Sequence, residues 1–453
     1  LHFDHSSNQY RKLELYAMSS EKLTIDAELE LLQREAFDYF LHETNPANGL
    51  VIDKTAPGFP ASIAATGFAL AAYPVAIDRG FMPRAVGLER TLAALRFFWS
   101  SPQGPELDAS GYHGFYYHFL DMQTGRRAWQ SELSTVDSAF LLAGMLAAAA
   151  YFTADSAEER EVRTLADALY RRANWQWAKN GGATLTHGWK PETGFLPFRW
   201  EGYDEALLLY VLALGSPTYS LSEDSYAAWL STYQWLQCYG YDYLYAGSLF
   251  THQLSHMWID FRGIQDEYMR DKGIDYFENS RRATYVQQQY AIDNPQKFKR
   301  YGEHCWGITA SDGPGAATIS VDGIRRQFYG YLARGVPHGP DDGTVAPWAV
   351  VASLPFAPEI VLPAIDHFIY HIDLKSPDER GFQGTFNPTH PDRSRNPHGW
   401  VSPARIGINQ GPIVLMIENY RSEMLWHLMH GCRYMTDGLR KAGFTGGWLS
   451  GLK

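Results

Sequence analysis

The stretch HGWKPETGFLPFRWEGYDEALLLYVLAL, residues 187–214, carries the pattern that decides the architecture. Its first half is rich in aromatic residues and glycine, contains a Thr193-Gly194 turn, and reads as a short hairpin. Its second half opens on the acids Glu201, Asp204 and Glu205. It then runs into the apolar stretch from Ala206 to Leu214, which predicts a helix over 203–214. The same succession occurs earlier. GYHGFYYHFLDMQTG, residues 111–125, is an aromatic hairpin; Glu132 and Asp137 follow it, and a helix is expected over 135–153. The chain thus holds a weak internal repeat of aromatic hairpin, acidic corner and apolar helix.

Working outward, helical periodicity dominates. Helices are expected near 26–42, 63–79, 83–99, 135–153, 157–177, 203–214, 223–237, 249–259, 276–293, 345–353, 358–372 and 412–437. About twelve helices in sequential pairs, with long irregular loops on alternate connections, favour an all-α closed ring: an (α/α)6 toroid with short β-hairpins and long loops at one mouth. In such a ring every second connection lies on the same face, so the two acidic corners converge. No Pro/Gly/Ser linker divides the chain. The expectation is an N-terminal extension over 1–24 and one catalytic domain over 25–453. The loop-rich stretches 295–344 and 375–412 are too long for simple connectors, and their aromatic, amide and arginine content suits walls that face a sugar.

Composition narrows the function classes. Of 453 residues, 15% are aromatic, with 14 Trp and 28 Tyr, more amphipathic rings than a core alone requires. The formal net charge is −11, and without a basic footprint nucleic acid is excluded as a partner. The same acidity disfavours a lyase acting on uronates, which calls for a basic cleft. The three cysteines, Cys238, Cys305 and Cys432, form no CxxC pattern and no disulfide framework. The apolar stretch Leu141 to Phe152 is too short to span a bilayer, and the first twenty residues show no signal-peptide core. No Walker loop, dinucleotide fingerprint, GxSxG elbow or kinase signature is present. No metal or cofactor is expected. His252 and His256 stand four apart but lack the central Glu of HExxH, and His304 and Cys305 are adjacent residues, which rarely both ligate.

Glycan cleavage needs one carboxylic acid to protonate the leaving oxygen and usually a second carboxylate opposite it. Glu205 is the first candidate for the acid, since a carboxyl at a polar-to-apolar boundary acquires a raised pKa. Its competing role is to favour a helix N-terminus. Asp137, in Ser134-Thr-Val-Asp137, reads first as the partner of a Ser134 helix cap. Glu132, just outside that helix, faces the mouth or merely solvent. Trp200, Tyr203 and Trp306 are candidate stacking rings. Glu201, Asp204, Glu303, Asp312, Asn409 and Gln410 are candidate polar contacts to sugar hydroxyls. Asn409-Gln410-Gly411 is expected to precede the last long helix, with Pro412 at its start.

The segments SELSTVDSAFLLAGML (131–146), FRWEGYDEALLLYVLALGSPT (198–218), YGEHCWGITASDGPG (301–315), DDGTVAPWA (341–349) and INQGPIVLMIENYRS (408–422) resemble the bacterial glucoamylase-like family. That family is similar to glycoside hydrolase family 144, the β-1,2-glucanases, and to a domain of cyclic β-1,2-glucan synthases. The resemblance covers roughly residues 25–445. It implies the same toroid and an inverting acid/base hydrolysis of β-1,2-glucan or sophoro-oligosaccharides. Asp137 and Glu205 are the acids it carries over, with Asp137 or Glu132 positioning or activating water. It also implies a periplasmic or extracellular location; a monomer is expected. A transglycosylase or phosphorylase with the same acids, and a non-catalytic glycan-binding protein, are the alternatives.

Overall fold

The computed structural model describes residues 24–375 and 381–451; most of the expected N-terminal extension lies outside them. The protein is predominantly helical. Its helices are α1 (Ile25–His42), α2 (Ile63–Asp78), α3 (Arg84–Ser100), α4 (Thr135–Tyr151), α5 (Ala157–Arg172), α6 (Trp175–Lys179), α7 (Leu207–Gly215), α8 (Glu223–Leu230), α9 (Glu267–Lys272), α10 (Tyr276–Asp293), α11 (Pro347–Ala352), α12 (Pro358–Asp366), α13 (Gly407–Arg421), α14 (Met424–His430) and α15 (Arg433–Lys441).

Burial sorts these into two kinds. Helices α2, α4, α7, α11 and α13 are apolar almost all round and buried on nearly every side, the pattern of helices enclosed by others. Helices α1, α3, α5, α8, α10 and α12 bury one stripe and expose the rest. The two kinds alternate along the chain. Where a helix was expected over 249–259, the chain makes two buried 3₁₀ turns, Leu249–His252 and Leu254–Met257. Helix α2 packs on α4, and α13 returns against both α1 and α2. The α2–α4 approach requires glycine on both sides: a Cβ on Gly144 would sit 2.0 Å from the Gly67 carbonyl oxygen, and one on Gly67 would sit 2.5 Å from that of Phe140. Backbone therefore meets backbone in the centre of the molecule.

Both aromatic segments form hairpins, and they share a sheet. Strands β2 (Gly111–Tyr112), β3 (Phe115–Tyr117), β5 (Leu133–Ser134), β6 (Gly188–Lys190) and β7 (Gly194–Phe195) run antiparallel in the order β2-β3-β5-β6-β7. Ser134 pairs with Tyr116 on one side and Gly188 on the other. The short strands β1 (Ala61–Ser62) and β4 (Phe119–Leu120) pair beside it.

Three helix expectations are corrected. The helix expected over 223–237 stops at Leu230. Strands β8 (Trp235–Cys238) and β9 (Tyr241–Leu244) follow, turning on Tyr239 and Gly240 at φ 51° and 84°, the two-residue turn that matches strand twist. The helix expected over 412–437 is three, broken at Glu423 (φ 58°) and around Gly431–Cys432. Pro412 does not open α13, which starts at Gly407 and carries Pro412 inside it. The cost is the bond Pro412 cannot donate back to the Ile408 carbonyl. Asn409 and Gln410 therefore lie in the first turn of the helix, not before it.

Candidate active site

The enclosed helices leave a cavity of about 460 Å³, an ordinary size for a small-ligand site. Its charged lining comes from six side chains on five segments: Asp53 and Lys54, His118, Asp137, Glu205, and Asp312.

Asp137 stands in the first turn of α4. The Ser134 hydroxyl caps that helix by accepting from the Asp137 N–H at 3.2 Å. The same hydroxyl donates to Asp137 Oδ2 at 2.5 Å. The cap is therefore real, yet it does not use the carboxylate as a reciprocal backbone cap. Instead it holds the carboxylate at the cavity wall. His118, from the loop between β3 and β4, lies 3.8 Å from Asp137 Oδ2, with Nδ1 2.9 Å from Glu132 Oε1. Its ring stacks on Phe119 with centroids 4.0 Å apart. Burial pushes the His118 pKa down. The Asp137 charge, the Glu132 hydrogen bond and charge, and the Asp53 charge outweigh it, and the imidazole is pushed up to about 9. Burial pushes Glu132 up, but the His118 bond and charge hold it below the ordinary carboxylate range.

Glu205 sits just before α7, half-buried, with no hydrogen-bond partner among the described residues. Burial, helped by the Asp137 and Asp204 charges, pushes its carboxyl up to about 8. Its neighbour Asp204 takes the structural task at this corner. Asp204 Oδ1 accepts from the Ala206 N–H at 2.9 Å and from Trp229 Nε1 at 3.1 Å. Glu205 is thereby released from the helix start and lines the cavity.

The two acidic corners are fastened together. Trp200 Nε1 donates to Thr135 Oγ1 at 2.9 Å, and that hydroxyl donates on to the Thr186 carbonyl at 2.8 Å. Trp200 is 8% exposed and stacks on His187 at 3.8 Å. It ties the Glu205 corner to the start of α4.

The far wall is built by the loop after α10. The Arg334 guanidinium, 0% exposed, bonds Asp342 Oδ1 at 2.7 Å, the Ser311 carbonyl at 2.6 Å and the Gly330 carbonyl at 3.1 Å. Asp312 and Tyr331 are the next residues after those carbonyls, and both line the cavity. Asp312 meets Lys54 Nζ at 2.8 Å, a bond between segments 258 residues apart. At the mouth, Trp129 packs edge-on against Phe59 at 5.0 Å and lies 5.3 Å from Phe119. Trp129 is 56% exposed, and it and Gln130 hold φ values of 54° and 49°. Two successive left-handed non-glycine residues store strain of the kind that gathers at ligand sites.

Of the residues expected from the sequence, Glu205, Asp137, Asp312 and Asn409 line the cavity. Glu132 stands one hydrogen bond behind it, through His118. The expected stacking rings are corrected: Trp306 is fully buried at 0%, Tyr203 is packed among Tyr233, His252 and Tyr276, and Trp200 is spent on Thr135. Their bulk fills the core next to the site. Asp204 is occupied as described. Glu201 is exposed and accepts from Thr184 outside the cavity. Glu303 points to solvent with its side chain 71% exposed, and Gln410 is buried behind Asn409. Asp53, Lys54, His118, Phe59, Phe119, Trp129 and Tyr331 were missed. His118 and Phe119 belong to the first aromatic hairpin and were legible there; Asp53 and Lys54 lie in a loop with no periodic signal. Among the described residues no cluster of His, Cys, Asp and Glu is arranged to hold a metal ion. No helix among them is long and apolar enough to cross a membrane.

The chain belongs to the Glycoamylase family, described as "putative glucoamylase", whose model matches residues 197–433. It is similar to an exo β-1,2-glucooligosaccharide sophorohydrolase (non-reducing end) of Parabacteroides distasonis, at 28% identity over 97% of this chain. The chain spans 61% of that relative's length. Among solved structures, a "putative glucoamylase" of Bacteroides uniformis shares 32% identity with a TM-score of 0.83, covering 95% of this chain and 100% of its own. An endo-β-1,2-glucanase of Chitinophaga pinensis, solved with sophorotriose and glucose, shares 26% identity with a TM-score of 0.82, covering 94% and 100%.

Proposed function

We propose that this protein is a glycoside hydrolase that cleaves β-1,2-glucan or sophoro-oligosaccharides by an inverting acid/base mechanism. One observation carries the chemistry: Glu205 is a free, half-buried carboxyl inside the cavity, pushed up to about 8. At neutral pH such a group holds its proton and delivers it to the glycosidic oxygen as the bond breaks. Asp137, on another wall of the same cavity, activates water on the opposite face of the sugar. Glu132 acts only through His118. Trp129, Phe59, Phe119 and Tyr331 supply the ring faces for glucose; Asp312 and Asn409 supply polar contacts. The likeness to the sophorohydrolase and the endo-β-1,2-glucanase supports the linkage.

The alternation of six one-sided helices with five enclosed helices and one enclosed 3₁₀ pair supports an (α/α)6 toroid. The cavity would lie at its mouth, within one catalytic domain over 25–453. The test is incubation with linear β-1,2-, β-1,3- and α-1,4-glucans, with and without phosphate, followed by sizing and anomeric analysis of the products. Reducing fragments of inverted configuration from β-1,2-glucan alone, independent of phosphate, are expected. Their absence, or full activity in Glu205→Gln, overturns the reading.

A further inference from the structure

Among the described residues, His118 is the one side chain in the cavity that touches two of the candidate acids at once. Its Nδ1 is 2.9 Å from Glu132 Oε1 and 3.8 Å from Asp137 Oδ2. Glu132 holds the ring by that hydrogen bond, and Phe119 holds its face by stacking. The ring is therefore fixed from two directions before any substrate enters. We propose that His118 is a positioning residue: a cation fixed by Glu132 and Phe119 that pairs with the Asp137 carboxylate and aims it into the cavity. This inference rests on the hydrolase reading above.

The groups around the ring support a cation there. Acids face it from four segments: Asp53 from the loop before β1, Glu132 from the start of β5, Asp137 from α4, and Glu205 from the corner before α7. The nearby cations are otherwise engaged. Lys54 pairs with Asp312, and Lys190 acts on Glu132. An inverting site needs two carboxyl groups in opposite protonation states within one low-dielectric cavity, where each opposes the ionisation of the other. The Asp137 charge does raise Glu205. A cation placed nearer one carboxylate than the other resolves the conflict in favour of a single ionised partner. His118 occupies that place, in direct range of Asp137 and only the weakest of the influences acting on Glu205. Glu132 thereby gains a role that needs no contact with substrate: it holds the imidazolium.

The experiment compares His118→Gln, which keeps a hydrogen-bond donor but no charge, with His118→Lys, which restores the charge. The measurement is the pH dependence of kcat/KM on β-1,2-gluco-oligosaccharides. In His118→Gln the acid limb is expected to move up by about one pH unit or more, the size expected of an adjacent charge. The alkaline limb should move up by less, and KM should change little. His118→Lys is expected to return the acid limb toward its original position. An acid limb unmoved in His118→Gln overturns the proposal. A second readout needs neither substrate nor variant folding: the imidazole of His118 in the intact protein, followed by carbon-13 NMR, is expected to stay protonated at pH 8. A neutral ring at pH 7 overturns the proposal even if both variants misfold. Loss of the hydrolase reading itself would show as a wild-type enzyme without products, a different outcome.

Discussion

Arg334 and Asp342, eight residues apart, form an ion pair in which neither side chain has any solvent exposure. The same guanidinium holds the carbonyls of Ser311 and Gly330, so the pair fixes the two neighbours that reach the cavity, Asp312 and Tyr331. Breaking a buried pair from one side strands a charge, at about 3–5 kcal/mol. Arg334→Met is expected to lower unfolding stability by that amount in denaturant titrations. A variant that unfolds with the wild type would show the pair to be dispensable.

Glu205→Gln keeps the shape of the side chain and removes its proton. Hydrolysis is expected to fall by about 10²–10⁴-fold, the usual worth of a general acid. Binding of sophoro-oligosaccharides, measured by calorimetry, should persist. A variant that binds nothing would point to a structural role for the carboxyl.

The pH profile should carry the signature of Glu205. The acid works only when protonated, and burial has pushed its carboxyl up to about 8. kcat/KM should therefore hold steady through neutrality and fall as pH rises through about 8, by about tenfold per unit beyond it. An alkaline limb near the ordinary carboxylate value would remove Glu205 from the role.

Trp129 contributes its ring to the mouth, and its backbone is held left-handed at φ 54°. Trp129→Gly should raise KM by about five- to tenfold with kcat nearly unchanged, the mark of binding shared by ground and transition states. The same change relieves strain of about 1 kcal/mol or more, so thermal stability is expected to hold or rise. A loss of kcat without a change in KM would contradict the stacking role.

Trp200→Phe removes the indole N–H that meets Thr135. A loss in kcat with little change in KM is expected, along with about 1–3 kcal/mol of stability for the buried hydroxyl left without its donor. Steady-state kinetics and thermal melts separate this from a stacking role, which would appear in KM.

Much of the architecture was legible because apolar periodicity reports burial directly. The run from Leu207 to Gly215 and that from Thr135 to Ala148 could be little else but enclosed helices. What escaped were features set by contacts far along the chain. Pro412 inside α13 is tolerated by its surroundings and not signalled by its neighbours, and the start of strand β8 hides at the end of a helix-like run. At the site, Glu205 stood out by its place at a polar-to-apolar boundary. The rings misled: Trp200, Tyr203 and Trp306 are as aromatic as Trp129, and only packing decides which of them keeps an open face. His118 was in view within its hairpin, but its value depends on Glu132 and Asp137 converging on it from elsewhere.

The sheet that joins both hairpins has one further consequence. Asp137 and Glu205 are spaced by strand pairing at Ser134 and by the Trp200–Thr135 bond, whereas Trp129, Tyr331 and Asp312 come from loops with their own supports. On the hydrolase reading proposed above, the reaction geometry and the grip on the sugar chain are thus set by separate parts of the fold. Insertions or substitutions in the loops can alter where along a glucan the chain is held without disturbing the distance between the acids.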